Sequence, residues 1–187
     1  MRYSEDHKAQ THQRIVNEAS ARFRRDGIGA TGLQPLMKAL GMTHGGFYAH
    51  FKSKDDLVEQ SLRKAADDVT VRCNGLFAEE NPLAAFIDSY LSSEHRASPD
   101  TGCPLPTMSA ELGQRGQASP TTDECIQSRL KSIENTLPDQ TNASEQSIVM
   151  LSTLVGALLL SRSANDPALS DRILDTTREW LKQQATA

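Results

Sequence analysis

The sequence predicts an all-α fold, on three observations. Apolar residues recur at three- and four-residue steps along most of the chain, no segment alternates convincingly with period two, and cap or turn residues next to Pro or an acid mark repeated helix starts. About nine helices follow from those signals. Lys8 to Gly27 carries Ile15, Ala19 and Phe23 at four-residue steps with Val16 beside them, and ends in Arg24-Arg25-Asp26-Gly27. Cations in a last turn followed by Gly are helix-stop chemistry. After Ile28-Gly29-Ala30, Thr31 is placed to cap a second helix from about Gly32 to Leu40, with Pro35 tolerable in its first turn.

Leu40-Gly41-Met42 reads as a helix end and a tight turn, and Thr43 as the cap of a third helix in T-H-G-G-F-Y-A-H-F-K-S-K, residues 43 to 54. At about 100° per residue, Phe47 and Phe51 share one face, Gly45, Gly46 and Ala49 occupy the opposite one, and Tyr48 and His50 flank it. Each Gly costs about 1 kcal/mol relative to Ala in a helix interior, so two in tandem suit a backbone that must approach something closely. Hydrogen-bonding groups on either side of a bare face suit phosphate contact across a DNA groove. The same spacing also describes a short amphipathic helix with two core Phe and ordinary surface Tyr and His.

Ser53 with Asp56 three residues later makes a capping-box-like start to a long helix. Its stripe of Leu57, Leu62, Ala65, Ala66, Val69, Cys73, Leu76 and Phe77 would act as a lever between the first helices and the rest of the chain. Further starts stand at Asn81-Pro82, Cys103-Pro104, Ser119-Pro120, Asn142 with Glu145, and Asp166-Pro167. In the last two helices Ile148, Leu151, Leu154, Val155, Leu158 and Leu159, then Leu169, Ile173, Trp180 and Leu181, are apolar on more than one face. Such helices must be buried from more than one side, by monomer core or by a partner subunit.

Residues 8 to 62 resemble the N-terminal domain of the tetracycline-repressor (TetR/AcrR) family of bacterial regulators. The resemblance rests on Ile15, Ala19, Phe23, Gly27, Thr31, Leu36, Gly41, Thr43, Gly45, Phe47, Tyr48, His50, Phe51, Lys54 and Leu57 at fixed spacing in one block. It implies a helix-turn-helix head over residues 1–54 and an effector-binding and dimerisation domain over 55–187. It further implies backbone contacts to double-stranded DNA at Thr31, Thr43, Tyr48, His50 and Lys54, with Gly45 and Gly46 facing the major groove. His44 stands where Lys is frequent and Ala49 where a larger residue is, so Gln34 and Lys38 become candidates for added contacts. The last two helices would pair with those of a second subunit in a four-helix bundle, through Leu151, Leu154, Val155, Leu158, Leu159, Ile173, Trp180 and Leu181. The function implied is that of a homodimeric repressor released from a palindromic operator by a small-molecule effector or a thiol-reactive compound.

Between lever and last helices, the segment expected to hold that effector offers Cys73, Phe77, Phe86, Tyr90, Cys103, Met108, Leu112, Cys125 and Ile126. In Gly102-Cys103-Pro104-Leu105-Pro106 the thiol falls at a helix start, where the dipole favours thiolate. It is either a reporter of oxidants and electrophiles or a small residue fitting a tight helix entry.

Charge agrees with a DNA-binding head. Residues 1–54 hold nine Lys/Arg against four acids, net +5, leaving eleven against twenty, net −9, which together make the −4 of the chain. M-R-Y-S-E-D-H-K lacks the apolar core of a signal peptide. The apolar run Ile148 to Leu160, broken by Ser152, Thr153 and Gly156, is short for a bilayer span, so no membrane association is expected and the location expected is cytoplasmic. Three widely spaced cysteines fit reduced thiols. No metal-ligand spacing joins His44, His50 and His95 to them, no cofactor fingerprint is present, and no P-loop, GxSxG, HExxH or CxxC stands in the chain. Two other function classes remain at this point: thiol chemistry at Cys103 as an enzyme or redox protein, and an architectural DNA binder without ligand control.

Overall fold

The computed structural model describes residues 5–185. Residues 1–4 and 186–187 lie outside the described residues, and with them Arg2 of the basic block and half of the stretch read as lacking a signal peptide. Among the described residues the chain has helices and no strands: α1 (Glu5–Asp26), α2 (Leu33–Ala39), a 3-10 segment (His44–Ala49), α3 (Lys54–Leu76), α4 (Pro82–Tyr90), α5 (Ser93–Ala97), a π-helical turn (Leu105–Ser109), α6 (Ala110–Gln114), α7 (Pro120–Glu134), α8 (Ala143–Ser163) and α9 (Pro167–Gln184). Two compact units divide it, Met1–Asp67 with Pro99–Thr121, and Asp68–Ser98 with Thr122–Ala187. Residue 54, the expected division, falls within the first unit at the start of α3.

In the first unit Ile15, Ala19 and Phe23 of α1 pack with Leu36, Met37, Phe47, Phe51, Leu57 and Leu62 in one buried core, which Met108 and Leu112 complete. Apolar burial draws those two distant residues in, at about 25 cal/mol per Å² removed from water. Glu111, between them, accepts the amide N–H groups of Ile28 (2.6 Å) and Gly29 (2.7 Å), and so clamps the turn between α1 and α2. Arg24 is not a free surface cation either: it is buried and donates to the carbonyls of Ser20 and Gly102, both at 3.2 Å.

Three local expectations change. Gly32, not Thr31, is the N-cap of α2; Thr31 is buried and its hydroxyl donates to the Gly27 carbonyl at 2.8 Å. The segment after Thr43 is a 3-10 helix rather than an α-helix, closed by Gly46 N–H to the Thr43 carbonyl (3.1 Å). Two glycines in six residues weaken the α-helix, and short pieces tolerate the tighter winding. A five-residue helix, α5, starts at the unanticipated cap Ser92, whose hydroxyl accepts from the His95 amide.

Other starts fall where the caps put them. Thr43 accepts from Gly46, Ser53 from Asp56, Ser119 from Thr121 and Asp166 from Ala168. The α2 end is a Schellman turn: Met42 bonds to the Met37 carbonyl, Gly41 to that of Lys38, and Gly41 takes φ +73.

In the second unit α8 packs along α9, burying Met150, Leu151, Leu154, Ala157, Leu158, Leu174 and Leu181. Asp88 of α4 and Lys182 of α9 pair at 2.8 Å, while Arg162 of α8 donates to the carbonyls of His95 and Arg96. By length and composition alone α8 is apolar enough to cross a membrane, with mean hydropathy 1.5 over its best window. The helix exceeds the run read from sequence because it continues through Ala143–Ser147 and Ser161–Ser163.

Candidate nucleic-acid interface

Phe47 anchors the 3-10 segment by complete burial and stacks on Phe51, ring centroids 5.2 Å apart, with His12 of α1 against the other ring at 4.5 Å. That fixes which side faces out. A Cβ built on Gly45 would meet nothing within 4 Å, and Thr43, His44, Tyr48 and Ala49 are all exposed around it. Tyr48 is 61% exposed, its ring held edge-on by Phe47 at 5.2 Å and His44 at 5.8 Å, so the phenol is presented without being free to collapse. Gln34 and Lys38 of α2 are exposed as well, as is Lys52 beyond the segment. Backbone amides at a capped N-terminus, a bare glycine face and a phenol on its rim make a surface that can approach a sugar–phosphate backbone closely.

Two of the expected contacts have other partners. Lys54 Nζ donates to the carbonyls of Ile28 (2.6 Å) and Thr31 (2.7 Å), tying the start of α3 to the α1–α2 turn. Burial first, then the Arg115 charge, pull its pKa below the usual lysine range. Of its three donors one is left for a phosphate. Thr31 is likewise occupied by Gly27. His50 is half-buried with its Nδ1 unpartnered, and burial, followed by His12 and Lys8, holds it below its ordinary value. It lies beside an open groove of about 490 Å³ lined by Lys8, Ala9, His12, Gln13, Ala49 and His50.

The residues expected around an effector fall in two places. Cys103, Met108 and Leu112 belong to the first unit, and Met108 and Leu112 fill its core. Cys73, Phe77, Phe86, Tyr90 and Cys125 belong to the second, where Phe77 and Phe86 lie 5.0 Å apart and Phe86 and Tyr90 5.7 Å apart. Sequence reasoning missed Arg129 beside them: it is 4% exposed, its Cζ lies 5.9 Å from the Phe86 centroid, and its Nη2 has no hydrogen-bond partner. The signal was present in the four-residue steps Cys125, Arg129, Ile133, Leu137, all buried, which put an arginine in an inward stripe.

Of the residues expected at a subunit interface, Leu151, Leu154, Leu158 and Leu181 are already buried inside the second unit, because α8 and α9 pack on each other there. The apolar surface still open on those helices is Ile148, Val149, Leu159, Leu160, Leu169 and Trp180, with Val155 and Ile173 partly buried.

Residues 15–60 match the model of the bacterial regulatory proteins of the tetR family. A stretch of 51 residues is 39% identical to the HTH-type transcriptional regulator AcrR of Shigella flexneri, covering 27% of this chain and 24% of that protein. The chain thus spans about a quarter of that relative's length. An uncharacterised HTH-type transcriptional regulator of Mycobacterium tuberculosis is 26% identical over 185 residues, covering 90% of this chain and 93% of that protein. In fold, a TetR transcriptional regulator from Chloroflexus aurantiacus superposes with TM-score 0.78 at 21% identity, covering 95% of this chain and 97% of that one.

Proposed function

Starting from a chain that is a TetR/AcrR-family transcriptional regulator, we propose that it works in the cytoplasm as a homodimeric repressor, released from a palindromic operator by a small molecule. Two identical heads on a two-fold axis would present the His44–Ala49 segments to half-sites about one helical turn apart. The bare Gly45 face with exposed Thr43 and Tyr48 on its rim is the observation that carries the reading. The open apolar surface of α8 and α9 supports the dimer, since exposed patches of that kind mark association sites. The second unit, with its aromatic group on α4, is the proposed effector domain. Proteins of this family are regulators, not enzymes, which sets aside thiol catalysis at Cys103.

Gly45→Leu tests the interface. An operator is first selected from random duplexes with the wild-type protein, and both proteins are then titrated against it by gel shift. The open space at Gly45 lets the variant fold with an unchanged or higher Tm, while its side chain blocks close approach and weakens binding at least about tenfold, about 1.4 kcal/mol. Full affinity in the variant would remove the segment from the DNA interface.

A further inference from the structure

Arg129, among the described residues, is a buried charge whose surroundings do not account for it. It sits at the centre of the inward stripe of α7, with buried Cys125 four residues before it and buried Ile133 four after. Its guanidinium carbon lies over the ring of the fully buried Phe86, 5.9 Å from the centroid, and its buried Nη2 has no hydrogen-bond partner. A buried cation costs several kcal/mol unless an anion and hydrogen-bond acceptors compensate it, and an aromatic ring at this distance returns only a fraction of that. Guanidinium also presents a fork of donors that matches a carboxylate with two parallel hydrogen bonds, and a ring contact leaves the Nη2 donors unused.

On the reading of the second unit as the effector domain, we infer that the effector is a small apolar monocarboxylic acid whose carboxylate pairs with Arg129. The aromatic side chains of Phe77 and Tyr90, with ring centroids 5.0 and 5.7 Å from that of Phe86, supply the apolar surroundings for the rest of such a molecule. One guanidinium matches a single negative charge. The two oxygens of a carboxylate also match the parallel N–H groups of a guanidinium edge, so a carboxylate is the fitting anion.

The test uses the full-length protein and two matched sets of probes: benzoate, phenylacetate and octanoate, and their uncharged amides. For each, Tm is measured and operator release is followed by gel shift. At about 10 mM, ten times a Kd of about 1 mM, a carboxylate that engages Arg129 raises Tm by roughly 3–6 °C in a chain of this size, and its amide does not. Arg129→Met keeps the volume and removes the charge. It should hold or raise the Tm of the protein without probe and lose the carboxylate response, weakening binding at least about tenfold. Equal responses to acids and amides, no carboxylate raising Tm, or an Arg129→Met protein much less stable than wild type would each overturn the inference.

The two readings fail separately. Carboxylates that raise Tm through Arg129 without releasing operator would leave the anion site standing and sink release as its role. Operator release by the amides alone would keep ligand control and sink the carboxylate.

Discussion

His95 should make the second unit sensitive to mild acid. Its Nδ1 lies 2.7 Å from the Tyr90 carbonyl, and because a carbonyl only accepts, Nδ1 carries the proton. The ring stands edge-on to Tyr90 at 4.9 Å. Burial is the main cause that pushes its pKa down to about 4; the Tyr90 bond opposes it, and the Arg162 and Arg72 charges add to it. A folded-state value below the unfolded 6.5 means that the unfolded chain takes up the proton first. The contribution to stability is therefore complete above about pH 6.5 and is lost as pH falls toward 4.

Over the whole interval that amounts to at most about 3 kcal/mol, and about 2 kcal/mol of it is gone by pH 5. In a chain of this size the latter lowers Tm by roughly 4–8 °C. His95→Asn keeps an amide donor for the Tyr90 carbonyl and does not titrate. Differential scanning fluorimetry from pH 8 to 4.5 on both proteins isolates the effect, because the shared slope from His50 and the carboxylates cancels in the difference. Parallel Tm curves between pH 6.5 and 5 would refute the assignment of His95 as the buried neutral group.

Three further outcomes follow from contacts described above. Glu111→Gln leaves one of the Ile28 and Gly29 amides without its charged acceptor and should lower stability by about 2 kcal/mol; an unchanged urea midpoint would show that the clamp contributes nothing. Leu159→Glu with Trp180→Glu puts charge on the open surface of α8 and α9. Light scattering at micromolar concentration should then report a monomer and gel shifts a weakened complex, and a persisting dimer would move the interface elsewhere. Cys73, Cys103 and Cys125 are all buried, at 5, 5 and 6% exposure, so iodoacetamide should alkylate them at similarly slow rates. Faster reaction at Cys103, with loss of operator binding, would instead support release by thiol-reactive compounds.

The head was legible because its signals are local. Thr43, Ser53 and Asp166 cap the helices their sequence positions imply, and Phe47 and Phe51 are buried as their shared face requires. What failed to show in the sequence depends on distant partners or on weak local preference. Lys54 reads as a surface cation until the Ile28 and Thr31 carbonyls are brought to it from more than twenty residues away. Ser-Glu-His-Arg-Ala of α5 has no apolar period to announce a helix. At the π-helical turn, Pro104 and Pro106 remove two amide donors, and Met108 and Ser109 share the Pro104 carbonyl at 2.9 and 3.3 Å, a pattern that composition alone does not specify.

That Met108, Glu111 and Leu112 finish the first unit bears on how the protein is made. On a ribosome the chain emerges from its N-terminus, and at about 5–20 residues per second the stretch ending at Thr121 follows Asp67 by roughly 3 to 11 s. Through that interval the nascent head has its core without Met108 and Leu112 and the α1–α2 turn without its carboxylate. A messenger cut after Asp67 would therefore encode the recognition segment but not a finished head. A transplanted head would need residues 99–121 to travel with it, joined across the gap by a designed loop.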